Sequence, residues 1–379
     1  MKKNLSILIY SLASGGAERV VSVLLNELKD KYNITLVLMN DAIFYDIPKN
    51  LQIIYLENSN PNESGIKKLL KLPFLGYRYK QICENNDIDI SLSFMNRPNY
   101  INIISKFFAN NSKSIISERA MPSLQHKSGL QGLINRFLIK YLYNKSDLIT
   151  ANSKGNSVDL TANFNIKKVI TIYNLFDIKK IAEQAKDDIE SKYNGFVFVT
   201  VGRLDDGKNH QLIIDAMQDV NAQLYIIGEG ELRGKLENQI KTLNLENKVF
   251  LLGRQKNPYK YLAKADCFVF SSNYEGFPNV LLEALACGLP VISTDCQSGP
   301  REILAPNSDI EVQLQNDLEL AKYGILTPIN NVQKLKEAME LIMNDNELRK
   351  NYKETAKQRT DDFRIEQIIK QYEEIICVG

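Results

Sequence analysis

Two carboxylates eight positions apart, Glu275 and Glu283, flank the run Gly276-Phe277-Pro278-Asn279-Val280. Asn273 to Pro278 reads as a loop. Pro278 suits the first turn of a helix continuing to Cys287, because a proline there gives up only an amide the helix does not use. Glu275 then precedes the helix, and Glu283 lies about one and a half turns into it. The amides of Asn279 and Val280 point out of a positive helix end, which attracts an anion. Carboxylates on either side would accept hydrogen bonds from sugar hydroxyls. The spacing alone equally admits Glu283 as a surface residue and Glu275 as a capping group.

A second constellation, Gly202-Arg203-Leu204-Asp205-Asp206-Gly207-Lys208-Asn209-His210, directly follows a strand-like run. Arg203, through its planar fork, and Lys208, as a point charge, can hold a diphosphate; a solvated basic loop is the alternative. Gly15-Gly16, leading into Ala17-Glu18-Arg19, is the matching loop near the start of the chain. Two glycines let backbone approach a ligand, or simply make a tight turn. The spacing is not Gly-x-Gly-x-x-Gly, which argues against dinucleotide binding and a dehydrogenase. Farther on, Arg301 and Glu302 in Ser298-Gly299-Pro300-Arg301-Glu302 either pair with each other or touch a ligand. Gly65 to Lys80 holds the cations Lys67, Lys68, Lys71, Arg78 and Lys80 among Leu, Phe and Tyr, with no acid. Such a stretch lies on an anionic membrane surface, grips a diphosphate, or packs as a helix with a basic edge.

These loops must be carried by strands. Short apolar runs alternate with helix-like segments throughout, the pattern of right-handed βαβ units and parallel sheets. In the first half, strands are expected at 5–10, 34–39, 53–56, 88–94, 114–117, 148–151 and 169–173. The second half offers 196–201, 223–227, 248–252, 267–271, 290–293 and a segment near 325. The weakly patterned, charged run between them marks a boundary. The expected organisation is residues 1–176 as an N-terminal Rossmann-like, acceptor-binding domain, 177–195 as linker, and 196–360 as a C-terminal Rossmann-like, UDP-sugar-binding domain. Residues 361–379 form a helix returning to the first domain. The fold class is α/β, two doubly wound domains facing across a cleft, with ligands at the carboxyl ends of the strands.

Composition narrows the function. Five scattered cysteines form neither a disulfide framework nor a Cys-x-x-Cys site, and read as small buried hydrophobes. With only two histidines, a histidine-based metal centre is not expected. Nowhere does an uncharged apolar run reach about 18 residues, so no transmembrane helix is expected. The basic, apolar start is too short for a signal peptide and reads as a strand. Residues 1–175 hold 22 Lys and Arg against 13 Asp and Glu; the remainder holds 25 against 32. No nucleic-acid-binding motif accompanies the basic half, so a nucleic-acid partner is not expected.

Together, Glu275-x7-Glu283, Gly202-Arg203-Leu204 through Lys208, and Ser14-Gly15-Gly16-Ala17-Glu18-Arg19 resemble family 4 glycosyltransferases of the GT-B fold. Ile9-Tyr10-Ser11-Leu12, Met39-Asn40-Asp41, Asn96-Arg97-Pro98-Asn99-Tyr100 and Asn257-Pro258-Tyr259-Lys260-Tyr261 extend the resemblance to members that add α1,4-linked GalNAc in bacterial protein N-glycosylation. The resemblance implies a retaining enzyme using UDP-GalNAc and an undecaprenyl-diphosphate-linked oligosaccharide, peripheral on the cytoplasmic face of the membrane. Arg203 and Lys208 would neutralise the departing diphosphate, Glu275 would hold the donor sugar and Glu283 the ribose. Gly15 and Gly16 would lie under the diphosphate, Arg254 would sit by the uracil, and Gly276 to Val280 would line the donor. Lys67, Lys68, Lys71, Arg78, Arg97 and Arg119 would face the acceptor diphosphate. Where many members carry a histidine near the reacting sugar, this chain reads Ser117-Glu118-Arg119-Ala120, so Glu118 or Arg119 would substitute. No Asp-x-Asp motif for a metal-bridged diphosphate is apparent, and metal is expected not to be essential. No carboxylate nucleophile for double displacement stands out, and same-face attack assisted by the leaving phosphate is implied.

Three other readings stay open: a family member moving another HexNAc or a hexose in O-antigen or capsule assembly, a non-transferring nucleotide-sugar epimerase, and a scaffold protein that has lost catalysis. The epimerase would not need the charges between Lys67 and Lys80. The intact Arg203, Lys208, Glu275 and Glu283 count against the scaffold.

Overall fold

The computed structural model describes residues 2–13, 15–58, 63–189 and 195–377. Ser14 of the glycine motif and residues 190–194 of the expected linker lie outside the described residues. The chain divides into two compact units, Met1–Leu175 with Ile365–Gly379, and Phe176–Arg364.

In the first unit, β1 Asn4–Ile9, β2 Asn33–Leu38, β3 Gln52–Tyr55, β4 Ile90–Phe94, β5 Lys113–Glu118, β6 Leu148–Ala151 and β7 Val169–Thr171 form one sheet in the order β3-β2-β1-β4-β5-β6-β7. Every neighbouring pair is parallel. The inner strands are Ile- and Leu-rich and buried almost throughout, β4 even though Ile90-Ser91-Leu92-Ser93-Phe94 alternates in type, because helices cover both faces of such a sheet. Those helices are α1 Gly16–Leu28, α2 Gly65–Leu70, α3 Leu72–Asn85, α4 Asn96–Lys106, α5 Pro122–Gln125, α6 Gly129–Leu142 and α7 Lys154–Phe164. The strand order reverses between β1 and β4, so the crevice of a doubly wound sheet opens beyond their carboxyl ends.

The second unit repeats the scheme. It holds α8 Ile178–Gln184, β8 Val197–Val201, α9 His210–Ala216, β9 Gln223–Ile227, α10 Arg233–Thr242, β10 Val249–Gly253, α11 Tyr259–Leu262 and β11 Cys267–Phe270. After these come α12 Asn279–Ala286, β12 Val291–Thr294, α13 Pro300–Leu304, β13 Glu319–Ala321, β14 Gly324–Thr327, α14 Val332–Asn344 and α15 Asn346–Asp361. The sheet order is β10-β9-β8-β11-β12-β14-β13, and the reversal falls between β8 and β11. All pairs are parallel except β13 with β14.

Every strand expected from the sequence is present within two residues of its expected bounds. The strand β13 was not expected; three residues at a sheet edge are too short to carry a pattern. The expected linker is also different over its described part. Asp177 caps α8, its Oδ1 accepting from Lys180 N at 2.9 Å, and Ile181 of α8 is fully buried. Asn257 Nδ2 donates to Gln184 O at 2.7 Å, so this segment is bonded into the second unit. One buried residue amid lysines gives too weak a periodicity to read as a helix. The charged C-terminal run is two helices, α15 and α16, the latter Ile365–Cys377. Ile368, Ile369, Tyr372, Ile375 and Ile376 of α16 complete the hydrophobic core of the first unit. Of the cysteines, Cys83, Cys267 and Cys296 are buried as expected, whereas Cys377 is exposed.

Candidate active site

The adjacent strands β8 and β11 end in the two loops that the sequence singled out, and the loops are stitched together. Asn273 N donates to Gly207 O at 2.8 Å, and Asn273 Nδ2 to Asp206 O at 3.1 Å. Ser271 Oγ donates to Lys208 O at 2.8 Å. Within the first loop, Asp205 Oδ1 accepts from Lys208 N at 3.0 Å, a local turn that competes with helix and holds the lysine at the loop end. Gly228 lets a third loop close in, since a Cβ there would lie 1.8 Å from Gly202 O.

This framework brings Lys208 and Glu275 into direct contact as an ion pair, with side chains 28% and 11% exposed. The Lys208 ammonium also stands 5.5 Å from the centroid of the Phe270 ring. An ammonium has three donors, so a lysine fixed in this way still has capacity for phosphate oxygens. Glu275 is therefore neither a helix cap nor a solvated acid. Arg203 differs. Its side chain is 71% exposed and its nearest carboxylate, Asp205, is 3.8 Å away, leaving the guanidinium extended into solvent.

Helix α12 begins at Asn279 with Pro278 as its cap residue and no side-chain cap on its first turn. Phe277 is buried, 5.6 Å from the ring of Phe363, and anchors the loop. Ser298 Oγ donates to Gly276 O at 2.7 Å. Gly299 has φ +96°, and a Cβ there would come 2.2 Å from Pro278 Cδ, so only glycine lets the two segments touch. Glu283 faces inward from α12 and is buried, which excludes the surface-residue alternative. Arg254, just past β10, is exposed, and Gly253 before it has φ +70°.

Of the two alternatives for Arg301 and Glu302, pairing with each other is not what the structure holds. Arg301 is buried and donates to Asp295 through Nη2 (2.6 Å) and Nε (3.1 Å), with Glu319 of the unexpected β13 at 3.0 Å. A buried guanidinium needs carboxylates in its own plane, and its sequence neighbour on a short helix is not so placed.

In the first unit, Gly15 precedes α1 in extended conformation, and its carbonyl accepts from Tyr45 Oη at 3.0 Å. Gly16 is the first residue of α1. The basic stretch is two helices separated at Lys71, with Pro73 in the first turn of the second, and acids from elsewhere engage it and the neighbouring Arg97. Lys71 pairs with Glu63 at 2.5 Å, Lys80 with Glu84 at 2.6 Å, and Arg97 with Glu57 at 2.5 Å. Arg78 reaches Tyr55 O at 3.4 Å; Lys67 is exposed and Lys68 half-buried. Asp87-Ile88-Asp89, an Asp-x-Asp sequence, lies before β4 at its amino end, where Asp89 Oδ2 accepts from Asn4 N at 2.8 Å.

Glu118 ends β5 fully buried. It accepts from Tyr143 Oη (2.7 Å), Arg119 N (2.9 Å) and, at 2.9 Å, the side-chain amide of Asn96, whose oxygen takes a hydrogen bond from His126 Nε2. Burial pushes its carboxyl up to about 7, against those donors. Arg119 donates to Asn174 Oδ1 (2.6 Å) and to Tyr372 Oη of α16 (2.5 Å), and stacks 4.9 Å over Phe94. Both side chains are thus held by partners within the first unit. Tyr143 and His126 were not among the expected site residues, and Asn96 entered only as part of a family-like segment, because the three come from separate elements. A sharper signal sits at Met95, whose φ of +73° turns β4 into α4 beside this cluster.

Residues 182–359 match the family Glycosyl transferases group 1. The chain is 45% identical, over 95% of its length and 96% of the relative's, to the N-acetylgalactosamine-N,N'-diacetylbacillosaminyl-diphospho-undecaprenol 4-alpha-N-acetylgalactosaminyltransferase of Campylobacter jejuni. Among solved structures, HepE of Anabaena in complex with UDP and glucose superposes with a TM-score of 0.75 at 21% identity, covering 99% of both chains. Sucrose-phosphate synthase of Thermosynechococcus elongatus superposes at 0.82 with 16% identity, over 99% of this chain and 98% of that one. The chain is a glycosyltransferase of the GT-B fold and belongs to family 4, the group 1 glycosyltransferases.

Proposed function

We propose that the enzyme transfers GalNAc from UDP-GalNAc, with retention of configuration, to an undecaprenyl-diphosphate-linked oligosaccharide in an α1,4 linkage, as part of protein N-glycosylation at the inner membrane face. The observation that carries the reading is the Lys208–Glu275 pair at the reversal point of the second sheet. There a cation for a leaving diphosphate and a carboxylate for sugar hydroxyls are held as one unit. The Campylobacter relative, which acts on an undecaprenol-linked saccharide, supports the acceptor class and the GalNAc donor. The UDP complex of HepE supports a uridine nucleotide donor.

In this mechanism the acceptor hydroxyl attacks the anomeric carbon on the face that UDP leaves, and a phosphate oxygen takes its proton. Lys208, with Arg203 swinging in from solvent, neutralises the charge growing on the diphosphate. Glu275 orients the sugar, Glu283 the ribose, and the first turn of α12 the phosphates. Arg254 contacts uracil, while Gly15 and Gly16 admit the diphosphate. Lys67, Lys68, Lys71, Arg78, Arg97 and Arg119 attract the acceptor diphosphate, and no metal is essential. Transfer from several radiolabelled UDP-sugars to an undecaprenyl-linked acceptor, with and without chelator, tests this. HexNAc addition insensitive to chelation is expected. Turnover with no UDP-sugar refutes the reading, and a hexose mass shift refutes the donor.

A further inference from the structure

Helix α6 is apolar on two opposite faces. Gly132, Asn135, Ile139 and Leu142 turn into the first unit, as the stripe of a surface helix should. Leu130, Leu133, Phe137 and Tyr141, spaced by three and four residues, form a second stripe that is open to solvent, Phe137 being 66% exposed and stacked on Tyr141. Single exposed apolar residues need no explanation; a helix-long stripe of them does.

The stripe is not isolated. Gln131 of α6 packs over Gly65 at the start of α2, where a Cβ would come within 2.4 Å of it. From α2 and the start of α3, Ile66, Leu70 and Phe74 are exposed, Leu70 to 75%. Tyr77 of α3 continues the exposed apolar surface to Phe108, edge-on at 5.5 Å.

The charge around this surface selects its partner. From Lys127 to Lys145 the chain holds four cations and no acid, and Gly65 to Lys80 holds five and none. Lys127, Lys140, Lys145 and Lys67 are exposed. At 14 residues, α6 spans roughly 21 Å, too short to cross a bilayer about 30 Å thick. Among the described residues no helix is long and apolar enough to cross one. An apolar stripe rimmed by lysines, on a helix that cannot span, matches a surface lying in the headgroup layer of an anionic bilayer.

We propose that α6 is the enzyme's lipid-inserting element, seating Leu130, Leu133, Phe137 and Tyr141 in an anionic leaflet with α2 and α3 beside it. This rests on the proposed lipid-linked acceptor for its purpose, since the surface would bring the enzyme to a substrate held in the membrane. It adds to the basic stretch a hydrophobic anchor on a different helix.

The test is co-sedimentation of the full chain with vesicles of phosphatidylcholine alone or with phosphatidylglycerol, without sugar substrates. Binding to the anionic vesicles is expected, and Leu133→Ser with Phe137→Ser lowers the partition coefficient more than about ten-fold, as loss of two inserted side chains should. Lys140→Glu lowers it further and flattens its salt dependence. Circular dichroism and thermal melting of the double variant remain those of the parent, because both positions are exposed. Transfer to a water-soluble short-prenyl acceptor also remains unchanged, which separates this inference from the assigned reaction. Absence of vesicle binding by the parent, or equal binding by the double variant, overturns the proposal. So does a concentration-dependent dimer that the double substitution dissociates, which would make the stripe a contact between copies.

Discussion

Lys208 and Glu275 are each assigned two tasks, holding the other and touching the donor, and the tasks separate in a double-mutant cycle. At a contact distance of about 3 Å and an effective dielectric of about 20, their gross attraction is about 5 kcal/mol, most of which desolvation offsets. Lys208 keeps 28% of its side-chain exposure, so the net value falls between that of exposed pairs and the roughly 3–5 kcal/mol lost on breaking a buried one. About 1–2 kcal/mol is expected for Lys208→Met or Glu275→Gln, measured by urea denaturation of the second unit's transition. The double variant loses about the same amount, since both single changes remove one and the same pair. Activity behaves differently. Loss of one preorganised charge at a leaving diphosphate costs roughly 10² to 10³ in kcat. Lys208→Met therefore falls at least a hundred-fold in kcat while folded, and Glu275→Gln on top of it reduces transfer further. The reasoning is refuted if folded Lys208→Met keeps more than a tenth of the parental kcat. Recovery of activity in the double variant refutes it equally, for the lysine would then serve only to neutralise the glutamate.

Arg203→Ala should leave the melting temperature unchanged, because its exposed guanidinium has only a carboxylate 3.8 Å away, yet lower kcat/KM at least about ten-fold, read by initial rates against UDP-sugar concentration. Gly299→Ala places a methyl against Pro278 in a left-handed backbone, so it should destabilise by about 1–3 kcal/mol or more and raise the KM for donor; unchanged thermal melting would show that the loop yields. The Glu118 carboxyl is raised by burial to about 7, above its unfolded range, so the stability held by the neutral acid is complete below about pH 4.5 and is lost as pH rises through about 7, some 3 kcal/mol in all. Glu118→Gln should abolish that slope in denaturant midpoints taken between pH 5 and 8. In the second unit His210 is lowered to about 4 by burial and by the nearby Lys208, so its contribution is full above about pH 6.5 and is lost as pH falls toward 4. His210→Gln should make the second unit less sensitive to acid, measured by the same denaturation at pH 4.5 and 7.

The parts of this molecule that were legible in the sequence are those whose physics is local. A strand buried on both faces often reads as an apolar run such as Val197-Phe198-Val199, and a loop at its carboxyl end carries glycine and polar residues, so Gly202 to Lys208 is legible as a strand-end loop. Glu275 before α12 and Glu283 on it follow from one proline and the helical rise. What could not be read was which partner each charge takes. Arg301 chose Asp295 and Glu319 over Glu302, Arg97 chose Glu57, and Arg119 chose Asn174 and Tyr372. Those choices depend on which strand ends lie side by side, and strand order is a property of the whole sheet. The same limit hid the second face of α6. Its sequence, Gly-Leu-Gln-Gly-Leu-Ile-Asn-Arg-Phe-Leu-Ile-Lys-Tyr-Leu, has enough apolar residues for two stripes. Only packing reveals that the core of the first unit takes Ile139 and Leu142 and leaves Leu133 and Phe137 outside. Periodicity can count the faces of a helix, but which of two apolar faces is surplus is decided by the neighbours, and a surplus face is where a partner has to be sought.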